Sequence, residues 1–142
     1  MSLPNQKGGY AMQYLIMLAI VTGLAISDFV LGIIKGYVTR TLSSKIMRKG
    51  GLNKLSEIII MTTVCGLEIG INALGKYYGD KASGIASILG VVTAGGVLFY
   101  IVLMELLSML ENYSIINPNA KWAKRFIKRL KIMQEDEKED KK

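Results

Sequence analysis

Histidine is absent from this 142-residue chain, and cysteine occurs once, as Cys65. Without histidine the commonest general base and metal ligand is missing. A lone thiol makes no intramolecular disulfide, and inside an apolar run it reads as a small buried hydrophobe. No metal-ligating cluster and no nucleophile–base pairing stands in the sequence, so no catalytic residue, metal or cofactor is expected. Charge is also missing over long stretches. Lys7 and Asp28 are the only charged residues before Lys35, and none occurs from Ala82 until Glu105. Runs of roughly 18 or more residues with few charges read as membrane helices. What is present points the same way. Apolar residues make up 51% of the chain, with a mean hydropathy of +0.34, although 20% of residues are charged. The two classes are segregated along the chain, and so short a chain has little polar sequence to cover a core of that kind.

These runs predict an all-α integral membrane protein with three transmembrane helices and a C-terminal basic amphipathic helix. After an N-terminal segment (1–9), the first span is placed at 10–34, the second at 56–74 and the third at 84–107, each near the roughly 20 residues needed to cross a bilayer. The first run could also be read as a signal peptide ending at Ala25-Ile26-Ser27, but the stretch from Gly8 to Ser27 is long for such a segment and Lys7 is its only basic residue. Between the first two spans lies a basic loop (35–55) with no acid, carrying Lys35, Arg40, Lys45, Arg48, Lys49 and Lys54. A turn (75–83) joins spans two and three. After span three, a segment at 108–133 holds Lys121, Lys124, Arg125, Lys128, Arg129 and Lys131. The positive-inside rule puts the loop and this segment in the cytoplasm and the N-terminus outside. Three spans satisfy both clusters; two or four would strand one of them.

The net charge is +7. No nucleic-acid recognition motif accompanies it, so anionic lipid is the expected partner rather than nucleic acid. Asn117-Pro118 reads as a helix start. In the helix that follows, Trp122, Phe126, Ile127, Leu130 and Met133 share one face opposite Lys and Arg, a pattern suited to a membrane surface or to another subunit. The expected membrane-surface residues are Lys45, Arg48, Lys49, Lys54, Trp122, Lys124, Arg125, Phe126, Lys128 and Arg129. The end, 134–142, is a mixed-charge run expected to be disordered.

Acids inside a membrane cost about 2.5–3.5 kcal/mol on insertion scales, so each needs a reason. Asp28 lies more than a turn inside span one, in line with Gly32 and Lys35. Glu57 and Glu105 lie near span ends. Glu68 is close to the middle of span two, where snorkelling cannot reach water. Eleven residues are almost three helical turns, so Glu57, Glu68 and Asn72 share a face. Gly66 and Gly70, a small-xxx-small pair, project on roughly the opposite one. Span three has a stripe of Ser87, Gly90 and Ala94 leading down to Glu105 and Ser108. Gly32, Gly66, Gly70, Gly90 and Ala94 are therefore candidate helix-packing positions. Asp28, Lys35, Glu57, Glu68, Asn72, Glu105 and Ser108 are candidate polar positions, which either pair across a closed bundle or line a wet lumen between subunits.

Asp28-Phe29-Val30-Leu31-Gly32 closes span one. Leu42-Ser43-Ser44-Lys45 and Lys49-Gly50-Gly51-Leu52-Asn53-Lys54 follow, and Glu105-Leu106-Leu107-Ser108-Met109-Leu110-Glu111-Asn112 and Pro118 come after span three. This ordered set resembles the phage lysis and toxin-secretion holin family over most of 28–130. The resemblance implies a non-catalytic protein of the bacterial inner membrane that oligomerises with copies of itself and opens lesions. An endolysin, or in some relatives a large toxin, leaves through them. Two other classes fit some features: an ion-coupled transporter subunit, though no inverted repeat is visible, and a membrane scaffold or immunity protein that binds without leak.

Overall fold

The computed structural model describes residues 6–78 and 93–139, which form four helices: α1 (Gln6–Val38), α2 (Ser44–Tyr78), α3 (Ala94–Ile116) and α4 (Lys121–Glu139). The chain divides into two compact units. One comprises Met1–Gly23 and Asn53–Val102, the other Leu24–Leu52 and Leu103–Lys142.

In the first unit one stripe from each of three helices meets. The core is Tyr14 and Val21 of α1, Met61 and Cys65 of α2, and Ala94 and Ile101 of α3, flanked by Met17, Leu18, Ile58, Val64, Val97 and Leu98. The spacings of four and seven place each pair on one helical face. In a bilayer such faces cohere by close packing and hydrogen bonding, since lipid tails are as apolar as leucine.

In the second unit the buried set changes character. Ala25, Leu107, Ala120 and Ala123 are buried, and so are Asp28, Glu105 and Asn112. The α1–α2 connection lies in this unit and is short. Thr41 N–H donates to the Gly36 carbonyl (2.9 Å) and Arg40 N–H to that of Tyr37 (3.2 Å). This paired arrangement closes a helix with a left-handed residue, here Arg40 at φ 56°. Gly36 is small because the chain folds back over it: a Cβ there would stand 3.0 Å from Leu42 Cδ1 and 3.5 Å from Leu42 Cα. Ser43 Oγ then accepts the Ile46 N–H (3.3 Å), a side-chain cap that starts α2. Phe29 packs close to Gly50 and Gly51, whose Cβ positions lie 3.8 Å from its ring.

Several sequence expectations change. The basic loop expected over 35–55 is mostly helix. Only residues 39–43 are non-helical, because the turn at Arg40 and the Ser43 cap need no more chain. Span three, expected over 84–107, falls partly outside the described residues, and α3 continues to Ile116 since nothing interrupts it before Asn117-Pro118. That dipeptide ends α3 rather than starting α4: a residue preceding proline disfavours helical torsions. The Ala120 N–H donates to the Asn117 carbonyl (3.1 Å), and α4 begins at Lys121. The tail expected to be disordered from 134 is helical as far as Glu139, over glutamine, glutamate and lysine, which are good helix formers.

Much of the exposed surface of α1 and α3 is apolar. Ile16, Ile20, Ile26, Val30 and Ile34 of α1 are exposed, and so are Phe99, Tyr100, Met104 and Leu106 of α3. Met12–Val38 and Ala94–Ile116 are long and apolar enough to cross a membrane, with only 17% and 22% of the most apolar stretch buried. A core helix of a water-soluble protein would be mostly buried.

Candidate functional site

Two polar nodes carry the chemistry, one in each unit. In the first, the Glu68 carboxylate of α2 accepts the Ala94 N–H of α3, Oε2 to N 2.9 Å, in a partly buried setting. Ala94 is the first residue of α3 and is fully buried. The first four N–H groups of a helix have no partner within it, and the helix dipole adds partial positive charge there. Glu68 satisfies one such donor. Thr93 Oγ1 satisfies another by accepting the Gly96 N–H (3.1 Å). The local sequence makes these caps matter, since Gly95 and Gly96 are weak helix formers at about 1 kcal/mol each relative to alanine.

The second node lies in the other unit. Asn112 Nδ2 of α3 donates to Asp28 Oδ1 of α1 at 2.9 Å, and both residues are buried, 7% and 5% exposed. Glu105 is 1% exposed and lies seven residues before Asn112, on the same face of α3. Gly32, one turn after Asp28, sits against this pair, and a Cβ there would lie 3.9 Å from Asn112 Nδ2. Burying a polar group unpaired costs of order 1–3 kcal/mol, so the Asp28–Asn112 bond fixes the register of the two helices that carry it.

The remaining candidates fall into distinct places. Lys35 and Ser108 are half-buried. Glu57 pairs with Lys54 one turn earlier (3.8 Å). A Cβ added at Gly66 or Gly70 would meet nothing within 4 Å among the described residues; Gly66 is exposed and Gly70 half-buried. Gly90, Ser87 and the Asn72 side chain lie outside the described residues. The back-to-back faces of α2 therefore have a direction: the one bearing Glu68 joins Met61 and Cys65 inside the first unit, and the glycine face looks outward. Asn112, read from the sequence only as the end of the element that begins at Glu105 and not as a candidate polar position, is the residue that bonds Asp28. Its seven-residue spacing from Glu105 was the available signal.

Lys45, Arg48 and Lys49 are exposed, whereas Lys54 is half-buried. The apolar face expected on α4 divides in two. Ala123 is buried and Ile127 and Leu130 half-buried, whereas Trp122 and Phe126 remain 53% and 56% exposed; Met133 lies outside the described side chains. Lys131 Nζ pairs with Glu111 of α3 (2.9 Å), and the Trp122 and Tyr113 rings lie 5.6 Å apart. Lys124, Arg125, Lys128 and Arg129 are exposed.

Among the described residues no group of three or more His, Cys, Asp or Glu could hold a metal ion. A family model described as the bacteriophage holin family matches residues 9–134. No curated protein and no solved structure matches the chain.

Proposed function

The chain belongs to the bacteriophage holin family, a non-enzymatic family that forms membrane pores, and we propose that it oligomerises in the bacterial cytoplasmic membrane and opens lesions that release an endolysin or a large toxin. One observation carries this reading: the inverted partition of side chains. Many large apolar side chains, among them Leu15, Ile16, Ile20, Leu67 and Phe99, are exposed while Asp28, Glu105 and Asn112 are buried. That partition suits lipid outside and polar contacts inside.

In this reading α2 carries span two, between those of α1 and α3. Its exposed Leu55, Ile59, Ile60, Leu67 and Ile69 would face lipid. Thr62 and Thr63 are exposed on the same helix, and their hydroxyls donate to the Ile58 and Ile59 carbonyls at 2.7 and 2.8 Å. A hydroxyl that meets no water is satisfied by its own helix in this way. All but four of the 18 lysines and arginines (Lys7, Lys54, Lys76 and Lys81) belong to the second unit. The 35–55 segment and the chain after span three, which hold most of these cations, would lie in the cytoplasm, with the N-terminus outside. The outward Gly66/Gly70 face would let helices of neighbouring subunits approach closely. Asp28, Glu68 and Glu105 would bias closed against open assemblies through the bonds they make.

The test is expression in bacteria together with a cytoplasmic wall hydrolase, recording membrane potential and hydrolase release. Depolarisation followed by release is expected. Growth without either ends the reading, and cargo-selective flux at constant potential would point to a transporter instead.

A further inference from the structure

The structure assigns the outward flank of α4 as a binding site for anionic phospholipid headgroups, read by Arg125 and Arg129 rather than by the lysines of the same helix. The inference deepens the membrane placement proposed above and rests on it. Helix α4 carries an inward side, an aromatic flank and a set of exposed cations. Ala123, Ile127 and Leu130 pack inward, and the Lys131–Glu111 pair secures that side to α3. Trp122 and Phe126, four residues apart, form an exposed aromatic flank. Docking on its own chain, which sets the Trp122 ring beside that of Tyr113, still leaves Trp122 and Phe126 more than half exposed, so the two occupants expected from the sequence do not exclude each other.

Position on the helix separates the two kinds of cation. Residues three or four apart are neighbours on a helix surface, whereas residues two apart are not. Arg125 follows Trp122 by three and Arg129 follows Phe126 by three. Lys124 and Lys128 follow the same rings by two and stand on another side. Each arginine is thus placed beside an aromatic ring, and all four cations are exposed. An indole at the headgroup level with a guanidinium beside it matches the chemistry of a phospholipid. The ring sits between water and acyl chain, and the planar guanidinium holds a phosphate with two parallel hydrogen bonds, which an ammonium cannot. The occupant is a lipid rather than a second copy of the chain because the flank is bordered by cations, and an identical surface would repel it.

Trp122 is the only tryptophan, so the full-length protein reports on this flank directly. It is reconstituted in vesicles mixing phosphatidylcholine with phosphatidylglycerol, and bromine is carried near the headgroup by one lipid or the other at equal mole fraction. Quenching by the brominated phosphatidylglycerol should exceed that by the brominated phosphatidylcholine, with a local enrichment on the order of fivefold over bulk. The preference should fall toward bulk in Arg125→Gln/Arg129→Gln and persist in Lys124→Gln/Lys128→Gln, which removes the same charge. Equal quenching by the two lipids overturns the site. So does absence of quenching, which would mean that protein covers the flank, or equal loss in both double variants, which would mean diffuse attraction. The first comparison needs no substitution, so a variant that fails to fold leaves the test intact. Hydrolase release is scored separately. Lesions without lipid preference reject this site alone, and lipid preference without lesions rejects the pore reading alone.

Discussion

Replacing Glu68 tests its cap on α3 most directly, because three variants separate its components. In Glu68→Ala the Ala94 N–H loses its acceptor. An N-terminal cap of this kind is worth about 1 kcal/mol, and an unsatisfied buried N–H costs about 1–3 kcal/mol. Glu68→Gln keeps an acceptor at the same reach but loses the charge, forfeiting the interaction with the helix dipole, about 0.3–1 kcal/mol and up to about 2 in a partly buried site. Glu68→Asp keeps the charge but shortens the arm by one methylene, so it should lengthen or break the 2.9 Å contact. Amide hydrogen exchange at Ala94, Gly95 and Gly96 in lipid nanodiscs reads the cap. A loss of 1–2 kcal/mol corresponds to roughly 5- to 30-fold faster exchange at Ala94 in Glu68→Ala, with a smaller rise in Glu68→Gln. Membrane insertion moves oppositely, since removing a charge from the proposed span favours insertion by about 2.5–3.5 kcal/mol. The variant should therefore accumulate in the membrane at least as well as the native chain while the start of α3 loosens. Unchanged exchange at Ala94 in Glu68→Ala would refute the reasoning.

Three further predictions follow from the geometry. A double-mutant cycle of Asp28→Ala and Asn112→Ala should show a coupling of about 1.5–3 kcal/mol in unfolding from detergent, the range for hydrogen bonds to charged groups; additive effects would mean that the 2.9 Å bond contributes nothing. Because Arg40 sits at φ 56°, Arg40→Gly should be more stable than Arg40→Ala by about 1 kcal/mol, a comparison in which the lost charge cancels; equal thermal midpoints would contradict a strained turn. Since Gly70 meets nothing among the described residues, Gly70→Leu should leave the helix content of the chain unchanged yet shift the onset of lysis, and unchanged timing together with unchanged timing in Glu68→Leu would sink the oligomer-face assignment.

The membrane character was legible in the chain because hydropathy and charge are properties of contiguous stretches. The gap between Lys7 and Lys35, broken only by Asp28, already marks a helix long and apolar enough to cross a membrane. Periodicity also placed Glu68 opposite Gly66 and Gly70, which needs nothing beyond about 100° per residue. Helix limits were less legible. The end of α1 depends on a non-glycine residue accepting a left-handed conformation, and the end of α3 on how far Pro118 reaches back, neither of which the apolar pattern encodes.

The sequence by itself determined that the chain forms long apolar helices with basic segments beside them, because transfer free energies add residue by residue along a helix. Only the tertiary structure decided what the buried polar groups do. Glu68 finds its donor 26 residues away at the start of α3, and Asp28 finds Asn112 across 84 residues. A hydrogen bond forms within about 3 Å of space whatever the separation along the chain. The acids that read from the sequence as either pairing groups or a lumen lining include two that are bonded within their own chain, Asp28 and Glu68. On α2 the surface left open is the one bearing the glycines.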